Sequence, residues 1–301
     1  MPAHRQRSQR SRRARPAGIA AVLAMAAGTG LFAWNAQAGT LPATATVSDG
    51  KVYYTAAEGQ TNDVTITLDD SSGDGMVYTI DDSVEITPGT GCTNPSSSDL
   101  TYVRCTTHYP GDGASDLTTL IADLGDGDDT GRVATSHPET DVILGGPGDD
   151  KLTGTGNCDL EGGKGDDEIS GAEYAMGNSG NDTVTNSFSV HAGPGHDVVE
   201  GSDDGDHIDG GPGNDKLIGG AGKDLITGGK GDDYIEGGTY ADTLYGNSGE
   251  DTILGGTGDD KLYGGADADE LHGDQGNDLL HGGSGKDALD GGSGTDSLHK
   301  V

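Results

Sequence analysis

The chain has 301 residues and a formal charge of −34, with 56 glycines, 31% hydrophobic and 4% aromatic residues. So acidic a polymer is repelled by nucleic acid and by anionic membrane surfaces, which excludes both as partners. High net charge with low hydropathy is also the composition of a disordered chain, so any fold here must come from pattern rather than from bulk composition.

Residues 1–38 read as a secretory signal. Arg5, Arg7, Arg10, Arg12, Arg13 and Arg15 form a charged start, Gly18 to Trp34 an apolar stretch, and Ala36-Gln37-Ala38 a small-x-small cleavage site. Cleavage after Ala38 leaves Gly39 as the mature start and predicts an extracellular protein. The apolar stretch of about 17 residues is near the lower limit for a span, so the mature chain is expected to have no membrane span. Without the six arginines of residues 1–38, 11 basic residues face 51 acidic ones, a formal −40.

Residues 39–123 form an N-terminal β-rich region. Thr65-Ile66-Thr67-Leu68, Val77-Tyr78-Thr79-Ile80 and Val84-Glu85-Ile86 alternate apolar and polar between turn-rich runs, the period of short strands. This is either a small β domain or an irregular first part of the repeat region beyond residue 123. In an exported chain Cys92 and Cys105 are placed to close a disulfide. Cys158 is left over, and two readings stand: a buried small apolar residue or a reactive thiol.

Residues 124–200 carry a degenerate motif, Gly-rich with a recurrent Asp: Asp129, Asp150, Asp167, Asp182 and Asp197. The separations are 21, 17, 15 and 15, then 18 if Asp197 stacks beneath Asp215. Full turns with an Asp-bearing loop on one edge only would explain the fifteens.

Residues 201–299 are eleven unbroken nine-residue units, among them GGPGNDKLI, GGKGDDYIE, GGTGDDKLY and GGSGKDALD. Sixth places hold Asp206, Asp215, Asp224, Asp233, Asp242, Asp251, Asp260, Asp269, Asp278, Asp287 and Asp296. Eighth places hold Ile208, Leu217, Ile226, Ile235, Leu244, Ile253, Leu262, Leu271, Leu280, Leu289 and Leu298. A fixed short period of this kind marks a solenoid.

The pattern G-G-x-G-x-D-x-(aliphatic)-x resembles the RTX, or hemolysin-type, calcium-binding repeat family. The resemblance implies an all-β fold, a right-handed parallel β-roll with a small N-terminal β region. It also implies multiple Ca2+ ions as cofactors, lying between loops stacked one turn apart, with the sixteen Asp residues above among their ligands. The residue types agree: glycine permits the positive φ that curls carbonyls inward, and calcium takes six to eight oxygens. Stacked turns about 4.8 Å apart would make the regular units roughly 25 Å long. Their interior would be a thin Leu/Ile ladder, too thin to hold the fold alone.

Three units lack the fourth-place glycine, with Asp204, Tyr240 and Asp267 instead. Asp tolerates left-handed backbone better than Tyr, so weak or missing calcium sites are expected beside Tyr240. Tyr245, Tyr263, His281 and His299 fall in one outward column, either a stacking ladder on an exposed face or a docking stripe. H-E-x-x-H, G-x-S-x-G and the EF-hand loop are all absent from the sequence. The expectation is therefore a secreted, non-enzymatic calcium-binding module, structural or adhesive, with a cell-surface or protein partner. The alternative is a hydrolase or toxin-like protein whose activity resides in residues 39–123.

Overall fold

The computed structural model describes residues 42–69, 76–107, 118–135 and 140–300, so residues 1–38, read above as a secretory signal, lie outside the described residues. Residues Thr40–Val301 form one compact unit. Every regular element among the described residues is a strand, and no helix is long and apolar enough to cross a membrane. The strands form two sheets, each of 14 strands, and from Tyr102–Thr107 onward they alternate along the chain between them. From residue 118 onward each strand pairs in parallel with the strand one coil away, which makes the fold a parallel β-roll.

In the regular coils, Lys216–Ala221 pairs with Tyr234–Thr239 and Leu225–Lys230 with Thr243–Ser248. The register sets eighth-place residues opposite one another, Leu217 on Ile235 and Ile226 on Leu244. Side chains alternate faces along a strand, so the eighth-place aliphatic and the next first-place glycine point inward while their neighbours face out. Ile208 through Leu280 are fully buried at these places, whereas Leu298, in the last strand, is 47% exposed. The interior of each coil is thus one aliphatic from each sheet plus glycine.

Residues 124–200 wind as coils of uneven length. Asp129, Asp150, Asp167, Asp182 and Asp197 stack in sequence at separations of 21, 17, 15 and 15, and Asp197 stacks beneath Asp215 at 18. The opposite edge of these coils is closed without a sixth-place carboxylate. There Ser187 is buried and its hydroxyl accepts the Ala172 N–H. Cys158 is fully buried near Gly154, where an added Cβ would fall 2.1 Å from its Sγ. Burial pushes its thiol up to about 12, so it fills space as an apolar residue rather than reacting as a thiolate.

Residues 42–107 share both sheets with the repeats. Lys51–Thr55 pairs in parallel with Thr118–Asp123, and Asp63–Asp69 with Thr130–Ala134, making a first coil. Antiparallel strands then close the end of each sheet. Ala43–Ser48 turns at Asp49 and Gly50, both at positive φ, onto Lys51–Thr55. Met76–Asp81 lies on Asp63–Asp69 and carries Tyr102–Thr107. Such hairpins cover the open edge of a parallel sheet. This end has the broadest core of the molecule, with Tyr54, Ile66, Met76, Tyr78 and Ile80 all buried. The Tyr54 hydroxyl donates to Asp82, and the Tyr78 hydroxyl donates to Asp141 at 3.0 Å.

Cys92 and Cys105 sit directly opposite on paired strands and form a disulfide, with Cα atoms 4.0 Å apart and a sequence separation of 13. Closing a loop of this size contributes about 3 kcal/mol. Cys105→Ser is therefore expected to cost about 3 kcal/mol in this end of the roll. Amide exchange over residues 76–107 checks it, and exchange equal to the wild type contradicts it.

Candidate metal centre

The sixth-place aspartates form two columns, one on each edge of the roll. The longer holds Asp129, Asp150, Asp167, Asp182, Asp197, Asp215, Asp233, Asp251, Asp269 and Asp287. The shorter holds Asp206, Asp224, Asp242, Asp260, Asp278 and Asp296. The rule within each column is uniform. The main-chain N–H of one Asp donates to Oδ1 of the Asp one coil further on, at 2.7–3.3 Å. Its own carbonyl accepts the seventh-place N–H of that next coil, as Asp215 does from Tyr234.

This use of Oδ1 leaves Oδ2 over. In Asp129, Asp150, Asp167, Asp182, Asp197, Asp215, Asp233, Asp251 and Asp269 of the long column, Oδ2 is buried and without a hydrogen-bond partner. The same holds for Asp224, Asp242, Asp260 and Asp278 of the short one. A buried carboxylate oxygen left unpaired is costly, and here the defect recurs coil after coil.

Beside eleven of these thirteen Oδ2 atoms a hole is kept open by the first-place glycine. A Cβ on Gly219 would fall 2.3 Å from Asp224 Oδ2 and 2.7 Å from the carbonyl oxygen of Gly237, the first place one coil on. On Gly264 the corresponding distances, to Asp269 Oδ2 and the Gly282 carbonyl, are 2.3 and 2.6 Å. A carboxylate oxygen and a carbonyl of the next coil thus flank one small space. No three His, Cys, Asp or Glu side chains converge on a metal position among the described residues. Each loop brings one sixth-place carboxylate, so the other donors to an ion would be main-chain oxygens. That all-oxygen set suits a hard cation such as calcium and not a thiolate- or imidazole-seeking metal.

Electrostatics point the same way. Burial first, and like-charged Asp neighbours next, push Asp167, Asp197, Asp233, Asp242 and Asp251 up to about 7. Burial likewise lifts Asp150, Asp182, Asp206, Asp224, Asp260 and Asp269 to about 6, and raises Asp129, Asp215 and Asp278 above the ordinary carboxylate range. The Oδ1 hydrogen bond works against each shift without cancelling it. A divalent cation beside Oδ2 would neutralise what burial and repulsion destabilise.

The sequence pattern does not separate the members of the set, and the structure does. Asp206 opens the short column, and its Oδ2 accepts the Ser202 N–H at 2.6 Å while Oδ1 accepts the Ser202 hydroxyl at 2.9 Å. Asp129 and Asp197 have Leu124 and Ala192, not glycine, at the first place of their units. Asp204 does not take the left-handed conformation expected of it, because the Ser202 turn reroutes that loop. Asp267 and Tyr240 do take it, both at φ 80°. The Tyr240 side chain is 63% exposed, yet Asp242 Oδ2 is as buried and unpartnered as its neighbours. The loop therefore keeps its form at the cost of backbone strain.

A second ladder runs through the fifth places, beyond what the motif alone announces. The fifth-place N–H donates backwards, to the fifth-place side chain of the preceding coil. It runs from Asp149 to Asp128, Asp166 to Asp149, Asn181 to Asp166, His196 to Asn181, Asn214 to His196, Asp232 to Asn214 and Glu250 to Asp232. Asp and Asn recurring at the fifth place is its available sequence signal. On the opposite edge Gly205, Lys223 and Ala241 interrupt it. On the outer face, Tyr245 and Tyr263 stack with centroids 4.8 Å apart, and His281 and His299 continue the column.

This geometry makes stability depend on pH and on the Tyr240 backbone. Asp pKa values of about 6–7 in the fold lie above the ordinary 3.8, so the folded chain holds protons that the unfolded chain releases. Metal-free stability should then be highest below about pH 4 and fall as pH rises through 6–7. Circular dichroism in EGTA checks this, and more strand at pH 8 than at pH 4 contradicts it. Tyr240→Gly, by relieving positive φ, should stabilise the calcium-loaded protein by about 1 kcal/mol. Thermal unfolding reads it, and a lower midpoint contradicts it.

The model of the RTX calcium-binding nonapeptide repeat family matches the chain in four copies, at residues 139–169, 191–226, 227–262 and 263–298. No curated protein matches the chain at a significant level. Motif, parallel roll and carboxylate columns agree with that match, and the chain belongs to the RTX calcium-binding repeat family.

Proposed function

We propose that this protein is a secreted β-roll that folds on binding multiple Ca2+ ions, the sixteen sixth-place aspartates supplying ligands, and acts outside the cell as a structural or adhesive module. The observation that carries the reading is the row of buried Oδ2 atoms without partners, eleven of the thirteen beside a first-place glycine and most of those beside a carbonyl of the next coil. Cations in those spaces would bridge successive coils, so binding and folding become one event. Each site filled at a hundred times its dissociation constant adds ~2.7 kcal/mol. Extracellular calcium modules bind at ~0.1–1 mM, which keeps such a chain loose before export and ordered after it.

The signal-like residues 1–38 and the Cys92–Cys105 disulfide support an extracellular location. Residues 42–107 pack as the end of the roll, with an interior filled by Tyr54, Tyr78 and Met76. That arrangement favours a module over a separate catalytic unit. The acidic rod, with its outward Tyr/His column, would face a cell-surface or protein partner.

Asp251→Asn and Asp260→Asn test the ligand assignment. Each should lower the calcium stoichiometry in calorimetric titration and move the folding midpoint to higher calcium. Magnesium, which demands a compact octahedral shell, should fail to replace calcium. Unchanged stoichiometry in both variants would contradict the assignment.

A further inference from the structure

The long carboxylate column begins on a residue that is not a carboxylate. Asn62 occupies a sixth place in a loop with no repeat motif and outside the family match. Its main-chain N–H donates to Asp129 Oδ1 at 2.6 Å, and its carbonyl accepts the Thr130 N–H at 2.8 Å. Those are the two bonds that every later Asp makes to the next coil. The loop also stacks like a repeat, since a Cβ on Gly127 would meet the Gln60 carbonyl oxygen at 2.8 Å.

The side chain differs in one respect. Asn62 Nδ2 stands at the branch where later members carry the orphaned Oδ2, and it donates to the Leu124 carbonyl at 2.9 Å, to Asp129 Oδ1 at 3.1 Å and to the Gln60 carbonyl at 3.3 Å. Leu124 is the first place of the next unit, the same carbonyl that lies beside Oδ2 in later coils. The amide thus makes directly the contact that a bridging cation would make elsewhere. Its remaining oxygen, Oδ1, corresponds to the atom that accepts from a preceding coil, and it is buried without a partner.

We propose that the first coil is a metal-independent starter. Asn62 replaces the cation bridge with amide hydrogen bonds, so residues 42–107 stay folded without calcium and present a ready edge on which the calcium-dependent coils stack. The inference rests on the calcium-coupled folding proposed above. The starter has what the repeats lack: a broad aromatic and aliphatic interior, the Cys92–Cys105 disulfide, and antiparallel hairpins closing both sheets. Templating removes the nucleation cost that a roll of non-local pairings would otherwise carry.

Hydrogen exchange of the full mature chain at pH 7.5, in EGTA and in calcium, tests it. In EGTA, peptides within 43–107 should exchange slowly while those within 201–299 exchange as an unfolded chain. Asn62→Asp adds a carboxylate and removes three donated hydrogen bonds. Its residues 43–69 should lose protection in EGTA and regain it in calcium. Fast exchange of 43–107 in wild-type EGTA samples, or protection in Asn62→Asp equal to the wild type, would overturn the starter. Protection of 201–299 in EGTA would instead contradict the calcium-coupled folding beneath it. If Asn62→Asp does not fold in calcium, the wild-type comparison of the two regions still decides.

Discussion

A buried carboxylate oxygen with nothing to bind, repeated one coil above another, is the constraint on which the rest of this structure depends. The roll places Asp Oδ1 against a main-chain N–H of the coil before and leaves Oδ2 beside a carbonyl of the coil after. Neither oxygen reaches water. Proton uptake or a cation is what relieves such a column, and the raised aspartates register the strain. Glycine at the first place answers the same constraint, since a Cβ there would fill the space beside Oδ2 in which the proposed cation would sit.

Apolar burial is too small to take over this task. Each regular coil contributes only one aliphatic side chain per sheet, so the apolar interior is a single file along each sheet. Strand hydrogen bonds and the fifth-place ladder link coils sideways, yet they do nothing for Oδ2. The N-terminal end solves its own problem differently, with packed tyrosines, a disulfide and an asparagine in the column. On the proposed reading, two regimes of stability meet in one continuous pair of sheets, apolar at the start and electrostatic along the length.

Much of this is legible from residue types in register. The eleven sixth-place aspartates and eighth-place aliphatics declare a solenoid, the family resemblance supplies its two strands per coil, and the spacing from Asp129 to Asp197 ties the degenerate coils to the edge that continues at Asp215. The alternation in residues 65–68 and 77–80 marks strands, though not that Asp63–Asp69 already belongs to the roll, whereas Val84 and Glu85 lie ahead of a strand that begins only at Ile86. Asn62 is hidden because its loop carries no glycine pattern, and its role comes from three-dimensional stacking on Asp129. Asp204 departs from expectation because Ser202, two residues earlier, competes for the turn through its hydroxyl. The fifth-place ladder is obscured because Asp, Asn and His perform the same acceptor role there while looking unlike in sequence.

Small-angle scattering of the mature chain at neutral pH, with calcium added stepwise to a chelated sample, tests the central claim most directly. Cation bridging predicts an expanded chain in chelator that contracts cooperatively to a compact rod as the columns fill. A rod of unchanged dimensions in chelator would show that the carboxylate columns are held by something other than metal.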